Sequence, residues 1–178
     1  MNYTLKEIKS CSATAENPDA LSGQGGKANN GRKGCPCVEP LAAGVTKTLL
    51  HKFGSGTIRK IWCTIPPEHP EHLRNLILRM YWDGQEIPSV EVPLGDFFGI
   101  AHGRQKNMVT PYVGMQDAKG FNCFIPMPFQ KEVMISIEND SDTDVDMFFY
   151  QIDFTLGDTH DENTGYFHAQ FRRENPCE

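Results

Sequence analysis

Hydrophobic residues recur at every second position along most of the chain beyond residue 45, the period of a half-buried β-strand. Leu76, Leu78, Met80 and Trp82 share one face of a first arm. Asp83-Gly84 follows as a two-residue turn signal, since both central positions of such a turn take φ > 0. The second arm, Glu86 to Val92, sets Val90 and Val92 on one face and Glu91 on the other. Pro93 ends that ladder because it has no N–H to donate. The hairpin feeds Leu94-Gly95-Asp96-Phe97-Phe98-Gly99, two rings beside one carboxylate with glycines on either side. Such a segment either buries its rings to pin the loop or presents an acid beside an apolar platform.

The same period recurs on both sides of this hairpin. Thr46–Phe53 precedes Gly54-Ser55-Gly56, and in Thr57–Ile65 the residues Ile61, Cys63 and Ile65 alternate with Lys60, Trp62 and Thr64. The Gly-Ser-Gly is no phosphate loop, because it leads into a strand and lacks the Gly-Lys-Ser/Thr that would follow. Lys131–Glu138 turns Val133, Ile135 and Ile137 inward, and Phe148, Tyr150, Ile152, Phe154 and Leu156 share the face of the most regular strand. A last strand is predicted over Gly165–Arg173, with Phe167, Ala169 and Phe171 inward and His168, Gln170 and Arg172 opposite. Pro126 and Pro128 restrict Phe121–Phe129 to a sheet edge or a rigid extended turn. No amphipathic helix longer than about two turns is evident. Seven or eight strands and one long connection predict an all-β, antiparallel β-sandwich of jelly-roll type.

The connecting segments differ in character. Residues 1–44 show little periodicity, and Ser22 to Gly34 is rich in Gly and Asn, so the division expected is an arm over 1–44 and a domain over 45–178. The functional reading of that arm is a backbone lying close to a ligand or a neighbouring subunit, with Lys27, Arg32 and Lys33 as donors. Ile100 to Lys119 reads as a long irregular loop, polar enough through His102, Arg104, Gln105 and Asn107 to line a site. His69 and His72 fall in an exposed connection with no third metal ligand in view. The acidic run from Asn139 to Asp146 fails as an EF-hand, since Val145 stands where Gly is needed and Gln151 where Glu is needed. It reads instead as an acidic hairpin turn, with a structural calcium of another kind left open.

Composition narrows the function classes. The chain has 178 residues, 39% of them hydrophobic, and a net charge of −6, enough for one domain with its own core. The negative balance disfavours nonspecific binding to nucleic acid or to an anionic membrane. No apolar run approaches a bilayer-spanning length. Six cysteines, Cys11, Cys35, Cys37, Cys63, Cys123 and Cys177, include no zinc-type pairing. They read as mostly reduced thiols, which leans toward the cytoplasm.

Four stretches, taken together, carry a resemblance: GSGTIRKIWCTIP at 54–66, LRMYWDGQEIPSVEVPLGDFFG at 78–99, GFNCFIPMPF at 120–129 and YFHAQFRRENP at 166–176. With Ser12, Glu16-Asn17-Pro18 and GRKGCPC near the start, the chain resembles the N-terminal half of glycoside hydrolase family 172, formerly a domain of unknown function. The resemblance implies the first half of a double jelly roll, assembled as a homo-trimer or a dimer of trimers. It implies retaining chemistry on α-linked furanosides, as in difructose dianhydride I synthase/hydrolase, exo-α-fructofuranosidase and exo-α-D-arabinofuranosidase. No cofactor is implied. The resemblance implies that the family's two catalytic glutamates belong to the second jelly roll, in Gly-Glu-Gly-Glu and Thr-Glu-Asp-Tyr-Phe type stretches that these 178 residues lack. Gly95-Asp96-Phe97-Phe98 is a first-half echo of the latter, with Gly95 where the glutamate would stand.

No catalytic residue is therefore expected here, and the polypeptide as given looks truncated or split. Trp62, Trp82, Asp96, Phe97, Phe98, Phe129, His168 and Arg172 are the candidates for contact with a furanose-containing oligosaccharide or with another subunit. Aromatic faces would stack on sugar C–H groups, while carboxylate and guanidinium fix hydroxyls. The bland alternatives are core packing for the tryptophans, turn capping for Asp96, and a solvated face or a salt bridge for His168 and Arg172. Glu91 and Asp96 could also form a carboxylate pair across Pro93. An alternative function is a non-catalytic jelly-roll module that binds carbohydrate or builds oligomers.

Overall fold

The computed structural model describes residues 5–66, 70–104, 106–117 and 119–176. Its strands are, in chain order, β1 Lys9–Thr14, β2 Thr46–Phe53, β3 Gly56–Thr64, β4 Leu76–Trp82, β5 Val90–Pro93 and β6 Met108–Val109. They continue as β7 Val113–Gln116, β8 Gly120–Cys123, β9 Met127–Phe129, β10 Glu132–Asn139, β11 Phe149–Leu156 and β12 Ala169–Gln170. Two one-turn helices, α1 His72–Asn75 and α2 Leu94–Phe97, flank β4 and β5. The strands make two sheets, ordered β1-β11-β3-β8-β7-β6 (with β9 also on β3) and β12-β5-β4-β10-β2. The chain is thus a nearly all-β sandwich, as the period-two pattern predicts. It passes from sheet to sheet repeatedly, so that β1, β3 and β11 lie side by side in one layer and β2, β4 and β10 in the other.

The core lies between the sheets and is filled by the alternating positions. Leu76, Leu78, Met80 and Trp82 of β4 and Val133, Ile135 and Ile137 of β10 face Ile61 and Cys63 of β3 and Tyr150, Ile152 and Phe154 of β11, all buried. Each fully buried large apolar side chain contributes about 1.5–3 kcal/mol relative to exposure. Gly56 permits the closest approach of β3 to its neighbours. A Cβ there would stand 2.1 Å from the Thr155 carbonyl oxygen and 2.5 Å from the Phe129 ring.

Several expectations change in the folded chain. The Asp83-Gly84 turn forms, with φ of 56° and 78° and the Gln85 N–H donating to the Trp82 carbonyl. The ladder does not resume there; β4 and β5 pair from Met80↔Val90 onward, leaving residues 83–89 as a connection. Of the segment expected as an arm, the described part, residues 5–44, is joined to the sandwich. β1 pairs with β11 along its whole length, Cys11 and Ala13 are buried in the common core, and Val38 and Leu41 bridge to Phe148 and Val145. The sequence conceals this because small residues at an edge give no strong alternation. Within the predicted loop 100–119, β6 and β7 form a ribbon extending the first sheet.

Residues 139–146 do not close a hairpin either, since β10 and β11 belong to different sheets. They cross the end of the sandwich on a buried Asn139, whose amide donates to the carbonyls of Leu41 and Thr143. Only Ala169–Gln170 of the predicted last strand pairs, parallel to β5, with Phe171 partly exposed. His72 is buried, whereas His69 and Gln105 lie outside the described residues, as does Cys177. Cys11, Cys35, Cys37, Cys63 and Cys123 are free thiols.

Candidate functional site

The segment singled out by its two rings and one acid sits at a corner where both short helices meet. β4 and β5 are antiparallel with Ile77 opposite Pro93, so the residues just before β4 lie beside those just after β5. That register brings Arg74 of α1 to Asp96 of α2, Nε to Oδ2 at 3.1 Å. The two buried atoms pair as ions without the angle of a hydrogen bond. Gly95 makes the approach possible, since a Cβ there would lie 3.0 Å from Leu73 Cβ and 3.1 Å from the Leu73 carbonyl oxygen. Gly99, at φ 78°, reverses the chain, with its N–H on the Asp96 carbonyl and the Ile100 N–H on that of Gly95. Phe98 is wholly buried beneath the turn, edge-on to Phe97 at 5.0 Å.

The C-terminal segment closes the other side. The Arg74 guanidinium lies over the Phe171 ring, 5.3 Å from its centre, in the range of a cation–π contact. Arg74, His102, Phe171, Arg172 and Arg173 line a cleft of about 580 Å³. His102 enters it from a backbone at φ 63°. An aromatic face ringed by guanidinium forks can hold a flat polyhydroxylated ligand, donating to its oxygens while a C–H face meets the ring. Asp96, the carboxylate beside the cleft, is committed to Arg74, so this arrangement binds better than it transfers protons.

Of the residues expected at a site, the fold thus gathers Asp96 and Arg172 at one cleft. Phe97 supports it from behind, packed 6.4 Å from Phe167. Trp82, Phe98 and Phe129 are core residues with no surface to offer a ligand; the Trp82 indole N–H donates to the Phe167 carbonyl at 2.8 Å. His168 stands elsewhere, with Gln85, Ile87 and Gln170 around a recess of about 540 Å³. Trp62 is half-buried on the outer face of the other sheet. Sequence reasoning missed Arg74 and Phe171. The signal for Arg74 was the β4–β5 register, which a shorter assumed hairpin displaced.

Several other acids are held in ion pairs or hydrogen bonds. Glu91 accepts from Arg79 Nε at 2.8 Å, and Glu138 accepts from the same guanidinium. Glu91 and Asp96 therefore answer to different arginines, not to each other. Asp158 binds Arg59 at 2.8 Å and accepts the Thr155 hydroxyl. Asp83 takes three backbone N–H groups, from Gln130, Lys131 and Glu132, on one oxygen and the Tyr166 hydroxyl on the other. Burial opposes its ionisation, but the Tyr166 and backbone hydrogen bonds outweigh it and hold the carboxyl below its usual range. The same contact pushes the Tyr166 hydroxyl up to about 12. No group of three or more His, Cys, Asp or Glu placed to share a metal ion occurs among the described residues.

A family model described as GH172 domain-like matches residues 38–152, from the bridge at Val38 to the middle of β11. The stretches at 31–37 and 166–176 lie outside the matched span. No curated protein matches the chain.

Proposed function

The chain belongs to the GH172 domain-like family, and from that premise we propose that it is the N-terminal jelly roll of a retaining glycoside hydrolase acting on α-linked fructofuranosides or D-arabinofuranosides. The observation that carries this reading is the family match running through both sheets of the sandwich. The interleaved strand order supports a jelly roll, and the Phe171–arginine cleft supports a sugar-facing surface.

Retention requires two carboxyls about 5 Å apart, one a nucleophile and one an acid/base. The acids described above are instead tied to arginines or to backbone N–H groups. In this reading the glutamate pair is supplied by a second jelly roll, while this one supplies framework and binding surface. Purified alone, the chain is expected to leave aryl α-arabinofuranosides and α-fructofuranosides uncleaved; turnover well above the uncatalysed rate would refute the assignment.

A second reading, a carbohydrate-binding or oligomer-building module without catalysis, is favoured by the Arg74–Asp96 pairing, which occupies the cleft's acid. Fusing or co-expressing the chain with a family second half separates the two. Cleavage restored by the combination supports the hydrolase, and none supports the module.

A further inference from the structure

We infer that the outer face of the β1-β11-β3-β8 sheet carries a second, separate binding site for a neutral oligosaccharide, centred on Trp62. Its ligand class rests on the carbohydrate reading above; its location rests only on the sheet. Register aligns Thr14, Gln151, Trp62, Asn122 and Gly114 directly across five strands, each opposite the next. All five are half-buried, on the side away from the core residues Ile61, Cys63, Phe121 and Cys123. Strand-borne groups are held more precisely than loop-borne ones.

The polar groups in this row are poised to accept and donate. Gln151 spends its NH₂ on Asp153, at 2.9 and 3.2 Å, and Asn122 spends its own on the Gly120 carbonyl at 3.2 Å. Each amide oxygen then has no partner among the described residues, and neither has the Trp62 indole N–H. Gly120 places no side chain beside that nitrogen; a Cβ there would come within 3.9 Å of it. The Gly/Asn-rich segment folds over one end as a wall. Glu16, Arg32, Lys33, Trp62, Phe149 and Gln151 line a cavity of about 560 Å³.

The chemistry points to a neutral ligand. Arg32 and Lys33 share the cavity lining with Glu16 and Asp153 lies beside Gln151, so charges of both signs are present, while Lys60 is turned onto the Phe124 ring, 5.8 Å away. An indole face flanked by two amide oxygens suits a sugar, whose C–H face stacks while its hydroxyls donate sideways.

Iodide quenching reads this site selectively, because Trp82, the other tryptophan, is fully buried. The full chain would be titrated with arabinotriose, inulotriose and maltotriose, following quenching and binding heat. The expected result is protection of Trp62 by at least one sugar, with affinity down tenfold or more in Trp62→Ala and in Asn122→Ala. Trp62→Phe should retain most of it, and Arg172→Ala, in the other cleft, should leave the protection of Trp62 from iodide unchanged whatever it does to the total binding heat. Binding abolished by Arg172→Ala but untouched by Trp62→Ala overturns the inference and leaves the proposed function standing. Absence of binding by all three sugars overturns it as well.

Discussion

Asp83 sits at a left-handed turn position at the tip of β4, and its carboxylate ties three segments together. It anchors the start of β10 through three N–H groups and the C-terminal segment through Tyr166. Its pKa is depressed on folding, so its contribution is present above the unfolded carboxylate value and lost as pH falls through the lower folded one. Asp83→Asn should cost about 1–3 kcal/mol at neutral pH, and denaturant melts should show less loss below about pH 4 than in the parent. Tyr166, raised to about 12, works in the opposite direction: its stabilisation holds below its unfolded value and disappears as pH rises through the folded one. Tyr166→Phe should remove that alkaline component in the same melts.

Among the elements, the C-terminal segment is the least self-sufficient. Its strand β12 has two residues, too few to persist without support. The support comes from β4 and β5: the Trp82 indole to the Phe167 carbonyl, the Ala169 N–H to Ser89 and the Phe171 N–H to Glu91. Trp82→Phe keeps most of the buried volume but deletes the indole donor. Amide hydrogen exchange should then accelerate at Ala169 and Phe171 while β4 and β10 stay protected. Uniform acceleration throughout the sandwich would show that the segment is no separate unit of stability. Because Phe171 and Arg172 reach the cleft on this segment, its fastening also fixes one wall of the candidate site.

For the whole molecule, the sandwich leaves large apolar side chains at the surface, among them Val109, Tyr112 and Phe124 near the β6–β8 edge and Phe53 and Ile87 elsewhere. Isolated exposed apolar residues are ordinary, but groups of them at a sheet edge invite association. The family reading predicts a trimer or a dimer of trimers, checked by light scattering over a range of concentrations. A monomer at every concentration would count against it.

For the long central strands, existence and inward faces were legible in the linear pattern, because burial on one side of a sheet imposes a period of two regardless of which strands become neighbours. Leu76 to Trp82 and Val133 to Ile137 announce themselves in this way. So did the Asp83-Gly84 turn, whose backbone angles are a local property, and the family, whose motifs are contiguous runs. Which strands would be neighbours was not written locally: β1 joins β11 across more than a hundred residues, and small side chains at an edge leave no trace of it. The cleft likewise exists only after folding, since Arg74 meets Asp96 through a cross-strand register and Phe171 arrives from the far end of the chain. Alternation decides what is buried; only the packing of the two sheets decides what each exposed residue will face.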